Sequence, residues 1–554
     1  MVMTSSGRGR THGKIKIGTP DPSLTAAGGM VAVTELFGKL GLIEALDEAM
    51  GPVKQRARGF TGGQVLAGMA AAQLAGEDFL VGLDRVRADQ AGQQVTPVPG
   101  LATSTAAGIA RRFTGKHWRG TEAGLAAATG RMAALLPAER AAELASGPVT
   151  IDIDATDVEV YGSRKRGVAY NYQGQRAGRP HVASWAETEI PLAADLLSGD
   201  QDPRSSVVAL LGRALAALPP AVREGAAAAG RKIALRADAG YFAGALARAA
   251  AAEGMAFAIG AKRITSMWKA LTGIGENAWR DAVGMDNAQV AVSSYKPADW
   301  PEDTVLLIRR VKLDPDQVSA DPRSRRRRTL HPDQRALPIP ELEQQPAIYA
   351  YSFICTNIDV STPAKAVACE HWYRHRTSAE NIFRDSKHGA ALRHLPSGHE
   401  QVNTAWMWAS LIAAAVAAWL HQLTGLISGG ELAEGHGTRG GKAMIATLRR
   451  ALIAVPARLV SHGGQLWVSP RTVPAPGHPG HDPRPASPRR LTTARAPPAT
   501  AKPSQAPRPQ ARPPSPDQQK GPAPAEPGAT TGPLSCPHAR PDSFKIVCPI
   551  VDNG

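Results

Sequence analysis

The stretch that decides the fold is HWYRHRTSAENIFRDSKHG, residues 371–389. It predicts one helix, on which Tyr373, Arg376, Glu380 and Lys387 are spaced three, four and seven residues apart. At about 100° per residue, these four side chains share one stripe roughly 60° wide. An acid, two cations and a phenol on one face suit a surface that holds a metal ion beside a phosphate backbone. The alternative is an ordinary charged helix face with spaced ion pairs.

Two aspartates end strand-like segments upstream of this helix. Asp154 ends an alternating apolar and polar pattern in DIDAT, and Asp238 ends a second strand in RADAGY. Carboxylates at strand ends of an α/β sheet face the crevice where ligands bind. The alternative for Asp238 is a turn or helix N-cap. Together with Glu380 they would make an oxygen-only site, which suits Mg²⁺ or Mn²⁺ and does not suit zinc.

The identity of the first acid stays open at this point. Asp152 and Asp154 point to the same face of the predicted strand, so either could reach a metal ion. The Ala-Thr pair that follows favours Asp154. Asp157 and Glu159 are expected to be surface residues or to have a secondary role.

The spacing Y-x2-R-x3-E-x6-K resembles the signature of one branch of the DDE-type insertion-sequence transposases. The motifs around Asp154 and Asp238 resemble that family's first and second acidic motifs, and the resemblance covers about residues 23–465. In this branch a β-rich domain is inserted before the glutamate. The resemblance implies an α/β fold with an RNase H-like mixed sheet, interrupted by a β-rich insertion domain.

The resemblance also implies the chemistry. Two Mg²⁺ ions, for which Mn²⁺ can substitute, would be held by Asp154, Asp238 and Glu380. The implied activity is hydrolysis of double-stranded DNA at the terminal inverted repeats of a transposon. The freed 3′-OH would then attack target DNA, and two protomers would act on paired ends as a homodimer.

The same resemblance assigns the other residues of the stripe. Arg376 and Lys387 would grip phosphates near the cleaved end, and Tyr373 would help to position the backbone.

The N-terminal part of the chain reads as helical and rich in alanine. A short helix that begins at Ser104 ends in Arg111 and Arg112. Clustered arginines suit contact with DNA phosphates. The alternative is a solvated basic helix face.

Composition favours a nucleic-acid partner. The 554 residues include 64 basic and 48 acidic ones, a net charge of +16, which attracts anionic partners. The four cysteines show no C-x-x-C spacing and fit a reducing cytosol, and the basic N-terminus has no apolar leader. Residues 406–420 are apolar but short for a membrane span, so they predict a buried helix. We expect a bacterial cytoplasmic protein associated with the nucleoid.

Pattern and composition divide the chain into six segments. The last one holds 21 of the 45 prolines, and such a composition cannot bury enough apolar surface to order itself. Its abrupt start suggests a frameshifted or read-through end. The segments are a disordered basic N-terminus (1–22), a helical DNA-binding domain (23–147), the first part of the catalytic core (148–262), the β-rich insertion domain (263–347), the second part of the core (348–470) and a disordered Pro-rich tail (471–554).

Base stacking and further DNA contact are expected in the insertion segment. Relatives with this domain stack a flipped base on a tryptophan there, and Trp268, Trp279 and Trp300 are the candidates. The alternative for each is a core tryptophan. The basic run at residues 325–328 is expected to face DNA or to lie in a disordered loop.

Two functional classes remain open at this stage. The first is an active transposase, and the second is a catalytically silent DNA-binding relic or repressor. A non-transposing nuclease on the same fold is a third reading, because fold does not fix function.

Overall fold

The structure is a computed structural model that describes residues 19–56, 58–313, 318–319, 328–329, 348–424 and 444–470. These residues belong to one compact unit. The predicted tail and residues 325–327 of the basic run lie outside the described residues.

The helices are α1 Met30–Leu40, α2 Leu42–Met50, α3 Gly62–Ala75, α4 Gly82–Ala88, α5 Thr103–Ala110, α6 Gly115–Ala134, α7 Ala138–Ser146, α8 Val207–Ala217, α9 Pro220–Ala228, α10 Gly244–Ala252, α11 Thr265–Thr272, α12 Pro363–Arg374, α13 Thr377–Gly389, α14 Glu400–Thr424 and α15 Ile445–Leu448. Short 3₁₀ turns cover Gly92–Gln94, Pro203–Ser205, Ala239–Tyr241 and Glu276–Ala278, and a π turn covers Arg449–Ile453.

The strands are β1 Leu24–Thr25, β2 Thr150–Ala155, β3 Val158–Glu159, β4 Ala169–Tyr170, β5 Arg176–Trp185, β6 Ile190–Ser198, β7 Ala234–Ala237, β8 Ala256–Ala261, β9 Arg280–Asp281, β10 Ala288–Ser293, β11 Val305–Leu313, β12 Val318–Ser319, β13 Arg328–Thr329, β14 Ile348–Thr356, β15 Ala457–His462 and β16 Gln465–Pro470.

One large mixed sheet organises the molecule. Its strand order is β3-β5-β2-β7-β8-β14-β11-β10-β9, and β4 and β6 also pair with β5. The neighbours β2, β7 and β8 run parallel, so the carboxyl ends of β2 and β7 open at the same edge. The mixed α/β sheet expected from the sequence is therefore confirmed.

The strands of the expected insertion domain extend this same sheet. β11 pairs with β14 along its whole length, from Val305 opposite Thr356 to Leu313 opposite Ile348. β14 in turn pairs with β8 of the core. The local strand pattern could not show this continuity, because it depends on partners far away in the sequence.

Helices α3, α5 and α6 of the N-terminal part pack against the apolar helix α14. That helix is long and apolar enough to cross a membrane by composition, yet its residues from Val402 to Leu420 are buried inside the protein. Two of its three indole groups donate hydrogen bonds within the protein: Trp406 donates to the Ala391 carbonyl at 3.2 Å, and Trp419 donates to the Thr129 hydroxyl at 3.2 Å. The predicted buried helix is confirmed.

The prediction of one continuous helix over residues 371–389 is wrong. α12 ends at Arg374 and α13 begins at Thr377. Between them the amide of Arg376 donates to the Tyr373 carbonyl three residues back, at 3.1 Å, which tightens the chain into a turn. A calculation with 100° per residue holds only within one continuous helix. It therefore does not place Tyr373, on α12, on one stripe with Glu380 and Lys387, on α13.

The three candidate stacking tryptophans belong to the core. Trp268 packs edge-on against Tyr351 and Phe353 and is fully buried. Trp279 and Trp300 are only 6% and 5% exposed. In the structure each of them follows the core alternative and presents almost no face to a base.

A buried ion pair joins the two central strands. The Arg236 guanidinium on β7 contacts both carboxylate oxygens of Asp152 on β2, at 2.7 and 2.9 Å, and neither side chain is more than 4% exposed. Arg236 also donates to the Trp372 carbonyl of α12 at 2.6 Å and lies over the Trp372 ring. One guanidinium thus ties the helix before the Arg376 turn to the centre of the sheet.

We predict that Asp152→Asn lowers the free energy of unfolding by about 3–5 kcal/mol, because it leaves the Arg236 charge buried without its partner. Urea unfolding of the full chain measures this. Asp202→Asn, which breaks an exposed ion pair with Arg204, is the control and is expected to leave stability nearly unchanged. Equal effects of the two substitutions would contradict the assignment.

Candidate active site

A cavity of 1120 Å³ opens where β2 and β7 end. Both Asp154 and Asp238 line it, together with Thr156, Asp157 and Tyr241. The parallel pairing of β2 and β7 explains this, because it brings two carboxylates 84 residues apart in the chain to one edge of the sheet.

Asp154 carries two opposing influences. Its side chain is 15% exposed and accepts a hydrogen bond from the Ala155 amide at 2.8 Å. Burial raises the pKa of this carboxyl to about 6, the neighbouring Arg376 charge works against that rise, and the Asp238 charge adds to it. The carboxyl is therefore poised to exchange a proton for a cation near neutral pH.

Asp238 combines a capping role with a place in the cavity. Its Oδ1 accepts from the Gly240 amide at 2.9 Å and caps the 3₁₀ turn that follows β7. The turn-capping alternative is thus realised in the structure. A capping carboxylate keeps free lone pairs, so the cap and a place facing the cavity are compatible.

Asp152 does not face the cavity. It is fully buried and engaged by Arg236, whereas Asp154 lines the open space. This arrangement favours Asp154 over Asp152 as the first acid.

Three residues of the 371–389 motif contact the ends of β2 and β7. The Tyr373 hydroxyl donates to the Ala237 carbonyl at 3.1 Å, and Arg376 lies 3.1 Å from the Asp154 carboxylate. Lys387 donates to the Thr156 hydroxyl at 2.6 Å and to the Asp157 carbonyl at 2.9 Å. Their expected phosphate-binding groups are therefore engaged by the protein itself.

Glu380 occupies a different position. It lies exposed in the first turn of α13, four residues beyond Arg376, and is not among the residues that line the cavity. Across the part of the chain that the structure describes, no three His, Cys, Asp or Glu side chains come together to hold a metal ion. The structure thus brings two of the three expected carboxylates together and leaves the third on the neighbouring turn.

The two carboxylates at the cavity fit a divalent cation. Both are oxygen donors, and the charge of Asp238 raises the pKa of Asp154. A hard cation between them would relieve that repulsion. Arg376 already supplies one positive charge at Asp154, so a cation would compete with it there.

Several residues of the site escaped the sequence analysis. Tyr241 lines the cavity, and its buried hydroxyl has no hydrogen-bond partner among the described residues. Gly260 leaves room for the Tyr373 hydroxyl, since a Cβ there would lie 2.6 Å from it. Asp157, expected at the surface or in a secondary role, is half-buried and binds Arg179 at 2.7 Å. Tyr241 is part of the RADAGY motif and could have been identified from it, whereas no local sequence pattern marks Gly260.

The arginines predicted to contact DNA lie away from the cavity lining. Arg111 and Arg112 follow α5 in a turn, and both are exposed. Nearby Arg119, by contrast, is paired with Glu122 and Asp195.

A model of a known protein family matches this chain over a long range that includes part of the cavity lining. The model of the family described as transposase DDE domain group 1 matches residues 10–320, more than half of the chain. This chain belongs to the DDE transposase family. The matched region includes the cavity aspartates Asp154 and Asp238 and ends before Glu380.

Other comparisons with this transposase add little. No curated protein matches it. Among solved structures it is similar to a piggyBac transposase synaptic complex with hairpin DNA, at 8% identity and a TM-score of 0.35, over 76% of this chain and 78% of that chain.

We predict that Asp154→Asn gains stability relative to the wild type as the pH rises from about 4 to 6. An aspartate with a pKa near 6 in the fold and about 3.9 when unfolded binds its proton more tightly in the native state. Its ionisation therefore costs the wild type up to about 3 kcal/mol across that window, and the asparagine avoids this cost.

Urea unfolding between pH 4 and 7.5 with EDTA measures the difference. Gln173→Ala changes an exposed side chain of the same cavity that does not titrate, and it should show no such trend with pH. A stability difference between Asp154→Asn and the wild type that stays constant with pH would contradict the raised pKa.

Proposed function

We propose that this chain is an active transposase that cuts double-stranded DNA at transposon terminal inverted repeats and joins the freed 3′-OH to target DNA. Asp154, Asp238 and Glu380 are the proposed catalytic carboxylates. The observation that carries the proposal is the meeting of Asp154 and Asp238 at one open cavity, beside the turn that leads to Glu380. Membership of the DDE family supports this reading.

The proposed cofactor is a pair of Mg²⁺ ions, with Mn²⁺ as a substitute, held by Asp154, Asp238 and Glu380. When bound, such ions activate the attacking oxygen and stabilise the leaving oxygen. Carboxylates suit this task because each can bridge two ions, which Asn and Gln do poorly.

The basic residues of the motif order the site. Arg376 neutralises Asp154 and holds the turn between α12 and α13 against the end of β2. Lys387 fastens α13 to the same strand end through Thr156. Tyr373 fixes the end of α12 on β7. We propose that the Arg376 and Lys387 side chains also face phosphates of the cleaved strand.

The proposed partner is double-stranded DNA, both at the element's ends and at the target. The net charge of +16 favours it, and the exposed Arg111 and Arg112 add a basic site away from the cavity lining. We further propose a homodimer that acts on paired ends, working on the nucleoid in a bacterial cytoplasm.

A silent DNA-binding relic is the second candidate. It is favoured by one observation, that no cluster of three metal-binding side chains is assembled in the described residues. The two candidates differ in whether the chain cuts DNA when supplied with a divalent ion.

We predict that the wild type nicks a duplex carrying the inverted repeats that flank its gene, and does so only with Mg²⁺ or Mn²⁺. Asp154→Asn, Asp238→Asn and Glu380→Gln should each lower the nicking rate about a thousandfold while DNA binding persists, because each removes a metal-binding carboxylate.

Asp200→Asn is the matched control, since it changes another carboxylate of the same cavity and should retain full nicking activity. Nicking by Glu380→Gln at the wild-type rate would reject Glu380 as the third acid. Metal-independent binding without any nicking by the wild type would favour the silent relic.

We predict that Arg111→Ala with Arg112→Ala weakens binding of duplex DNA and lowers the salt dependence by about two phosphate contacts. Fluorescence anisotropy across a range of salt concentrations measures the slope. Arg223→Ala, an exposed arginine on α9, is the control and should leave the slope unchanged. An unchanged slope in the double variant would contradict DNA contact at these residues.

A further inference from the structure

Two exposed tyrosines line the cavity that holds the aspartates. Tyr170 is 69% exposed and Tyr172 is 87% exposed, and both belong to the lining together with Asp154 and Asp238. An exposed ring face gains free energy when a ligand covers it, because apolar area leaves water. The position of these two rings in the lining, beside Asp154 and Asp238, makes their faces available to a ligand with a flat apolar face.

The turn that carries these rings is held firmly. Asn171 lies between them and is buried, and its side-chain oxygen Oδ1 accepts hydrogen bonds from the backbone amides of Gln173 and Gln175 at 3.0 and 2.9 Å. The side-chain Nδ2 of Asn171 donates to the Asp157 carboxylate at 2.8 Å. Asp157 is the residue whose carbonyl receives Lys387, so the turn is tied to α13. A fixed turn presents its rings at low entropic cost on binding.

The chain segment that carries the rings is basic, whereas the cavity lining itself holds five aspartates and three basic residues. Residues 161–176 read YGSRKRGVAYNYQGQR, with four basic residues and no acidic one. Arg176 and Lys165 are partly engaged by backbone carbonyls, whereas Arg164 and Arg166 are exposed. Lys262 adds an exposed cation to the cavity lining itself. Aromatic rings interleaved with cations are the pattern that binds unpaired nucleic-acid strands.

We propose that Tyr170 and Tyr172 form a stacking platform for an unpaired base of the DNA strand that enters the cavity. The proposal rests on the proposed function, because it assigns the base next to the cleaved phosphate to these rings. It also replaces the expectation for Trp268, Trp279 and Trp300, whose faces are covered by the core. The tyrosine hydroxyls are not needed for stacking, since every base and every aromatic ring offers a π-face.

The test uses the full chain in EDTA, so that no cutting can occur. The probes are a blunt duplex and the same duplex with a single-stranded 3′ extension that contains 2-aminopurine. The wild type should bind the extended probe more tightly than the blunt one and quench the 2-aminopurine fluorescence. Tyr170→Ala and Tyr172→Ala should each weaken binding of the extended probe about tenfold and leave blunt-duplex binding unchanged.

Two further variants separate stacking from other roles. Tyr170→Phe with Tyr172→Phe should keep both affinity and quenching, because the rings remain. Tyr161→Ala removes an equally exposed tyrosine, 88% exposed, that does not line the cavity, and should behave as the wild type.

The stacking platform and the proposed function can fail independently of each other in these experiments. Equal loss of blunt and extended binding, no quenching by the wild type, or failure of the phenylalanine variant would each overturn the platform. Selective loss of extended binding supports it even if the wild type never nicks DNA in Mg²⁺. Normal nicking in Mg²⁺ by Tyr170→Ala with Tyr172→Ala, with unchanged binding of the extended probe, would reject the platform and leave the proposed function standing.

Discussion

The buried ion pair between Asp152 and Arg236 is the interaction on which the site depends. It joins β2 to β7, the strands that end in Asp154 and Asp238, and it reaches the Trp372 carbonyl at the end of α12. A buried ion pair adds little net stability compared with an apolar pair, but removing one partner is costly. Its contribution here is geometric, since a single guanidinium fixes three chain segments that are far apart in the sequence.

The protonation state of Asp154, at the end of the strand that this pair holds, is subject to opposing influences. Burial and the neighbouring Asp238 favour its protonated form, whereas Arg376 favours its charged form. A divalent cation would act in the same direction as Arg376 and more strongly. The carboxylate is therefore held in a state that a cation can readily change.

The sequence predicted the local features well and the distant ones poorly. The strands ending in Asp154 and Asp238 and the buried helix α14 follow from local hydrophobic patterns, which a single sequence carries. The break at Arg376 does not, because hydrogen bonds to the third preceding residue leave no trace in residue periodicity. Asp152 and Asp154 could not be separated locally either, since the difference between them is the Arg236 side chain on another strand. The union of β11 with the core sheet likewise depends on β14.

The central claim is that Asp154, Asp238 and Glu380 share divalent ions when DNA is bound. A crystal structure of the protein with Mn²⁺ and uncleaved terminal-repeat DNA, with anomalous scattering recorded, tests it most directly. The account predicts manganese peaks within coordination distance of all three carboxylates. Peaks absent from this cavity, or coordinated without Glu380, would contradict it.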